Sequence, residues 1–359
     1  MQVADIVPSA SELGDAEREH IYARMCEMWG LEPRDASHNP CPLAAPVTRA
    51  TIEAEAPADF LVTPKTDGVR YVLVLTTRAD GRAVAVLAGR DMRMYEIEVW
   101  APDVFFERGC VIDGELAWAA GADIGRLVYF AFDCVCIGGE RVRDRGLVDR
   151  IGRLDRALTL SETQVAWIGH YKRTGDASKL EFIPEEGKVV ATDNNSYGLT
   201  LRPKPMLRTA EWARRADEPG LWGAHVGVAA DGYIFTPLRL PVYVNSHRRM
   251  YKWKPPAKLT VDVEVTDGAV GLTSATGEVA DVAEIEGRQF RLATPDVDSG
   301  IFECQLAIDA VLVALTPVRR RHDKTMPNSI ETAAATVRSG VECVGVDDLL
   351  AWAARGETA

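Results

Sequence analysis

The sequence predicts an α+β chain in which a long mixed region of helices and strands precedes a small all-β unit. Three observations lead there. Residues 71–75 and 83–87 are β-rich runs separated by Asp80-Gly81, a hairpin-type turn. From about Lys258 the texture changes, and the short runs TVDVEV, AVGLT, GEVADV, QFRLA, GIFECQL and AVLVALT alternate with Gly and Asp turns through Val318, as in a small β-barrel or sandwich. Helix-period segments stand at both ends of the chain.

In chain order, residues 11–29 place Leu13, Ile21, Met25, Met28 and Trp29 among charges, which predicts an amphipathic helix with Ser11 as N-cap. Pro33, Pro40, Pro42 and Pro46 mark an extended lead-in. Strands are expected at 111–112, 127–135, 232–235 and 259–265, and a helix at 147–160. The segment 169–197, rich in Gly, Asp, Asn and Lys, reads as a long surface excursion. Residues 346–352 form a short final helix with an acidic first turn.

Composition narrows the classes. The 359 residues suit about two domains. Hydrophobic residues at 47% and charged residues at 26% are ordinary for a soluble globular chain. No apolar run nears the roughly 18–20 residues that span a bilayer, so no membrane role is expected. The N-terminus lacks the basic start and apolar stretch of a secretory signal, so an intracellular protein is expected. Seven scattered cysteines should be reduced thiols. Cys134 and Cys136 lack the gap of a zinc knuckle, and strand alternation would put both on one face. A net charge of −12 excludes a protein that coats long nucleic acid, so any such contact must be local. Two stretches are locally basic: Arg239, Arg248, Arg249, Lys252, Lys254 and Lys258 with no acid among them, and Arg319, Arg320, Arg321 with Lys324. Taken alone, each is a solvated face.

The chemistry begins at Pro64-Lys65-Thr66-Asp67-Gly68-Val69-Arg70. A lysine amine is a nucleophile only when neutral, and burial or neighbouring positive charge makes it available. Gly68 permits a tight turn close to a phosphate, and Arg70 offers a planar fork. In isolation an exposed turn lysine is the simpler reading. Further pieces follow in order: Asp113-Gly114-Glu115, Phe132-Asp133, Asp231 to Phe235, Lys252-Trp253-Lys254-Pro255, and Arg321-His322-Asp323-Lys324 with Pro327-Asn328. Together they resemble motifs I, III, IIIa, IV, V and VI of the covalent nucleotidyltransferases, the superfamily of mRNA capping guanylyltransferases and of DNA and RNA ligases. The Lys-Trp-Lys-Pro form and the Arg-x-Asp-Lys with Pro-Asn resemble the capping branch. The overall spacing is similar to the compact guanylyltransferases of large DNA viruses.

That resemblance spans roughly residues 40–352 and carries expectations. It implies an ATP-grasp-like nucleotidyltransferase domain of antiparallel sheets and helices over 1–257, joined by a C-terminal helix at 342–359. An OB-fold would cover 258–341. Lys65 would attack GTP and carry GMP as a lysyl–GMP phosphoramidate, then pass it to a 5′-diphosphate RNA end. Arg70 and Glu115 would hold the ribose, with Arg90 on ribose or phosphate. Phe132 would stack on guanine and Lys204 read its O6. Lys252 and Lys254 would contact the α-phosphate. Asp262 would help engage the triphosphate, and Arg321 and Lys324 would orient the β- and γ-phosphates. Glu115 and Asp231 are the oxygen ligands expected for Mg²⁺ or Mn²⁺. Asp67, Trp253 and His322 are expected to be structural. Expected partners are a separate RNA triphosphatase, a cap methyltransferase and an RNA polymerase, in a nucleus or at a viral replication site. Three departures stand out: Gly89 where the family commonly has aspartate, 314–317 where it often has tryptophan, and an excursion between Asp133 and Lys204 longer than in the compact members, which loosens the placing of Lys204. The rival readings are an ATP-dependent polynucleotide ligase and a catalytically inactive scaffold binding RNA or polymerase.

Overall fold

The computed structural model describes residues 10–33, 39–101, 103–118, 127–158, 174, 190–191, 199–218, 221, 230–294, 297–322 and 324–357. Most of the 169–197 excursion lies outside them, as does Asp323. The elements in order are β1 (Ser11–Glu12), α1 (Asp15–Trp29), β2 (Leu43–Pro46), α2 (Arg49–Ala54), β3 (Phe60–Thr66), β4 (Val69–Thr77), β5 (Ala83–Ala88), β6 (Met94–Ile97), β7 (Val99–Trp100), α3 (Asp103–Glu107), β8 (Cys110–Trp118), β9 (Leu127–Ile137) and β10 (Glu140–Arg141). Then come α4 (Leu147–Leu158), β11 (Val190–Ala191), β12 (Thr200–Pro203), β13 (Leu207–Arg208), α5 (Thr209–Arg215), β14 (Ala230–Pro237) and β15 (Ser246–Trp253). The chain continues with β16 (Thr260–Thr266), β17 (Ala269–Thr273), β18 (Val279–Asp281), β19 (Glu284–Ile285), β20 (Arg288–Leu292), β21 (Gly300–Ile308), β22 (Leu312–Arg320), α6 (Ile330–Glu342) and α7 (Val346–Ala354).

Three larger sheets organise this mixed α and β chain. The first runs β1-β6-β5-β4-β8-β9-β10, with β12 added in parallel to β9. The second runs β13-β3-β14-β15-β2 and the third β18-β17-β16-β21-β22-β20-β19. The 71–75 and 83–87 runs form the expected hairpin, Thr77 opposite Ala83. The all-β texture after Lys258 is the third sheet.

Apolar packing follows the sheets. The first sheet is buried on both faces. One face packs α3 and α4 through Phe105, Phe106, Leu154 and Leu158, and the other packs α1 through Ile21, Met25 and Trp29. The second sheet packs Phe60, Val62, Phe235 and Trp253 against Trp212 of α5 and Leu349 and Trp352 of α7. The third closes on α6 through Ala333 and Val337. Among the described residues no helix is long and apolar enough to cross a membrane.

Three local expectations are corrected. Ser11 is not an N-cap: it pairs with Glu96 in β1, and α1 starts after Gly14. The pull of an open strand edge outweighs a capping preference worth only about 1 kcal/mol. Cys134 and Cys136 do not share a face, because β9 carries an extra residue between them: Ile112 sits opposite Cys134 and Val111 opposite Cys136. Such a bulge breaks the two-residue alternation, and the two thiols enter different cores. The third sheet is followed by a helix that the strand-and-turn texture did not reveal. Ser329 caps α6 by accepting from Thr332 N, and Cys343 ends it in the left-handed region.

Candidate active site

Lys65 is the last but one residue of β3 in the second sheet, and Arg70 the second of β4 in the first. The bend at Asp67-Gly68 is thus the passage from one sheet to the other. Gly68 is small because of crowding: a Cβ there would meet the Leu116 carbonyl oxygen at 2.5 Å and Glu115 Cγ at 2.8 Å. The turn at Gly68 also packs closely on β8.

Strand alternation delivers the side chains. On β15, Trp253 points into the core beside Tyr233, so Lys252 and Lys254 leave on the opposite face. On β8, Asp113 and Glu115 share a face for the same reason. On β4, Arg70 continues the face whose Val72 and Val74 pack against α1. Asp231 sits where β14 departs from regular pairing with β3, between Ala230 and Tyr233. Gly232 allows this, since a Cβ there would fall 1.9 Å from the Trp253 carbonyl oxygen.

Two carboxylates organise the lysines. Asp231 accepts from Lys65 Nζ through Oδ1 at 2.8 Å and binds Lys254 Nζ through Oδ2 at 2.7 Å. Burial works against its charge, yet Lys65 and Lys254 overcome that and hold its carboxyl below the usual range. Glu115 accepts from Lys204 Nζ at 3.1 Å and from the Thr66 hydroxyl, while Lys204 also donates to Thr66 Oγ1 at 2.9 Å. Burial lowers the Lys204 pKa more than Glu115 restores it.

Arg70 does not stand free. It forms a two-pronged pair with Asp113, Nε to Oδ1 at 2.8 Å, and donates to the Pro42 carbonyl at 2.6 Å. Its Cζ lies 5.4 Å from the centroid of the Phe132 ring, and Lys204 Nζ lies 5.5 Å from it. Phe132 is therefore flanked by two cations, close enough for favourable ring–cation contact. A second bulge in β9 explains its outward turn: Asp113 faces Asp133 and Gly114 faces Ala131, which leaves Phe132 as the extra residue. Its neighbour Asp133 is locked by Arg150 of α4 in two hydrogen bonds of 2.7 and 2.9 Å.

The side chain of Lys252 makes no hydrogen bond or ion pair with any described residue. Burial and the surrounding Arg90, Lys65, Lys254 and Lys324 push its pKa down to about 8. Arg90, exposed in the turn after β5, is likewise unpaired among the described residues and feels Arg70, Arg321, Asp113 and Asp262. Around Lys65, then, six cationic side chains (Lys65, Arg70, Arg90, Lys204, Lys252 and Lys254) meet three carboxylates (Asp113, Glu115 and Asp231). The excess is three positive charges in a chain of net charge −12.

The third sheet contributes Asp262, which binds Arg321 Nη1 at 2.8 Å and Lys324 Nζ. Asn328 fixes the same strand, its Oδ1 accepting from Asp262 N at 2.9 Å. Lys324 reaches the electrostatic surroundings of Lys252, so this sheet faces the lysine cluster. His322 and Asp67 are exposed and Trp253 is buried.

Sequence reasoning missed Thr66 and Asp113 as partners within the site. Both lie inside motifs it singled out; their roles depend on which strands become neighbours. Among the described residues no three His, Cys, Asp or Glu side chains cluster for a metal. Asp231 and Glu115 supply hard oxygens, each already held by lysine, which fits a cation shared with phosphates better than an all-protein cage.

Residues 4–182 match the family model described as mRNA capping enzyme, catalytic domain. The matched span includes Lys65, Arg70, Arg90, Glu115 and Phe132 and ends before Lys204. The chain is 26% identical over 236 residues to the mRNA-capping enzyme subunit alpha of Neurospora crassa, covering 62% of this chain and 52% of that protein. It thus spans about half the length of this relative. Among solved structures, mycobacterial DNA ligase D complexed with ATP and MES is 10% identical, with a TM-score of 0.38 over 82% of this chain and all of that one. The ligase domain of M. tuberculosis LigD is 14% identical, with a TM-score of 0.35 over 81% of this chain and 97% of that one.

Proposed function

The chain belongs to the mRNA capping enzyme family of nucleotidyltransferases, and on that premise we propose that it is an mRNA guanylyltransferase with Lys65 as nucleophile. The observation that carries the reading is the unbalanced positive charge around a lysine that is itself held in place. The three charges in excess, with Arg90 and Lys252 unpaired among the described residues, need an anion, and a nucleoside triphosphate supplies one.

Lys65 Nζ, freed of a proton, attacks the α-phosphorus of GTP. The bond from the α-phosphorus to the bridging oxygen breaks, pyrophosphate leaves, and a lysyl–GMP phosphoramidate remains. Asp231 holds the amine through one oxygen and Lys254 through the other, so nucleophile and phosphate-binding lysine keep a fixed spacing. Lys252, Lys254 and Arg90 offset charge developing at phosphorus. Phe132, between Arg70 and Lys204, offers a ring face to guanine, and Lys204 a donor to its O6. Arg70 and Glu115 would meet the ribose once their present partners yield. Bound Mg²⁺ or Mn²⁺ would supply Lewis acidity at the phosphates, with Asp231 and Glu115 as its carboxylates.

We place a nucleotidyltransferase domain at 1–257, extended by 342–359, and an OB-fold at 258–341. The latter would bring Asp262, Arg321 and Lys324 to the β- and γ-phosphates. In the second half-reaction a terminal phosphate oxygen of a 5′-diphosphate RNA attacks the same phosphorus, releases Lys65 and leaves a GpppN cap. A separate triphosphatase would prepare that end, a methyltransferase would finish it, and an RNA polymerase would present the transcript, in a nucleus or at a viral replication site. Naming the fungal relative a subunit alpha supports a divided pathway.

The decisive experiment incubates the protein with Mg²⁺ or Mn²⁺ and α-labelled GTP or ATP. Label from GTP that survives denaturation, and is absent in Lys65→Ala, is expected. Label from ATP alone would make the chain a ligase-like adenylyltransferase, and no label from either, with the protein folded, would make it a scaffold.

A further inference from the structure

A second concentration of unpaired arginine lies away from Lys65. A groove of about 700 Å³ is lined by Arg156 of α4, Arg208 at the end of β13, and Leu238 and Arg239 just after β14. None of the three arginines makes a hydrogen bond or ion pair with a described residue through its side chain, and all are exposed. Their neighbours differ. Arg145 and Arg153 share Asp149 and Glu140, and Arg215 holds Glu211 and Glu218. Asp149, the acid of the groove, is thus already engaged.

Gly152 adds an independent sign. It stands inside α4, where glycine costs roughly 1 kcal/mol relative to alanine. Glycine in a helix is usually explained by a neighbour too close for a Cβ. Here the nearest atom to such a Cβ is Arg156 Nη1 at 3.9 Å. Among the described residues nothing needs the space, and Gly152 lines the groove.

We propose that this groove holds the phosphodiester backbone of the RNA acceptor near its reacting 5′ end, an inference that rests on the guanylyltransferase reading. Arginine suits phosphate because its planar fork gives two hydrogen bonds. Among the described residues the lining contains no aromatic ring on which a base could stack. Backbone-only contact carries no sequence information, as suits an enzyme that must accept any transcript end. A chain of charge −12 repels RNA over most of its surface, so a local arginine site has to supply the attraction. Arg208 pairs across the sheet with Leu61, four residues before Lys65 on β3, roughly 13 Å along that strand.

The test compares the full chain with the Arg156→Gln, Arg208→Gln, Arg239→Gln triple variant. Binding of a long 5′-diphosphate RNA and of a 5′-diphosphate trinucleotide is followed by fluorescence anisotropy over a range of salt. The variant should bind the long RNA on the order of 10- to 100-fold more weakly, with the log–log salt slope reduced by about 2. Trinucleotide binding and lysyl–GMP labelling should be unchanged. The Arg156→Lys, Arg208→Lys, Arg239→Lys triple variant should keep the parent's slope, and Arg291→Gln on β20 should not alter it. An unchanged slope, or equal weakening of both RNAs, overturns the proposal. The two readings separate cleanly. Labelling with an unaltered slope removes the groove alone; a reduced slope in a protein that never labels removes the enzyme reading and leaves an RNA site.

Discussion

Around Lys65 the cations outnumber the carboxylates, and two of them, Arg90 and Lys252, have no anionic partner among the described residues. On the third sheet both cations are held: the buried Asp262 binds Arg321 and Lys324. A cluster with spare positive charge is set to receive an anion. A cluster whose cations are all held by a carboxylate must surrender existing pairs to do so. On the guanylyltransferase reading we propose, the first arrangement would favour initial capture of a nucleotide and the second contacts that form only as the third sheet closes over bound phosphates. The third region, the arginine groove on α4, resembles the first in carrying unpaired charge, yet among the described residues its lining has no lysine and no carboxylate free of other partners.

The sharpest way to break this comparison is Lys65→Arg. Arginine keeps the charge beside Asp231 and removes the nucleophile. Lysyl-nucleotide labelling should vanish while thermal unfolding stays close to that of the parent; persistent labelling would move the nucleophile elsewhere. Next comes Asp231→Asn, which leaves Lys65 and Lys254 without their shared carboxylate. Labelling should fall on the order of 100-fold, because both lysines lose their fixed spacing, and single-turnover labelling rates would read it. Asp262→Asn should act in the opposite proportion. It should reduce stability by about 1–3 kcal/mol in urea unfolding, through two cations left beside an amide, with a smaller loss of labelling than Asp231→Asn. Equal losses from the two variants would erase the distinction between the regions.

The smallest effect is one of pH. Burial and four neighbouring cations push Lys252 down to about 8. Nucleotide phosphates favour its charged form, so binding should take up a proton near that pH. Affinity for GTP should therefore decline as pH rises through about 8, and Lys252→Arg should flatten the decline because guanidinium stays charged. Binding measured by calorimetry in two buffers of different ionisation heat would show the uptake; its absence would mean that Lys252 does not meet the phosphates.

Sequence and structure divide in an instructive way. Lys252-Trp253-Lys254 was legible because its alternation states which residue is core and which are not, and Trp253 does lie in the core. The hairpin at Asp80-Gly81 was legible because its turn chemistry is local. Ser11 was misread because strand pairing with Glu96, far along the chain, overrode a local cap. Phe132 could be placed in a motif, but its exit from the core depends on a bulge set by the register of β8 against β9. Thr66 was invisible as a site residue until Glu115 and Lys204 closed around it.

By itself the sequence determined the residue types, their order and the strand periods that aim them. Those are local properties, written in side-chain chemistry and in two-residue alternation. Tertiary structure alone decided the pairings. Lys65 and Asp231 stand 166 residues apart and meet at 2.8 Å because β3 and β14 lie side by side. No periodicity along the chain encodes such a contact, since it is set by how sheets choose their neighbours and how bulges shift their register.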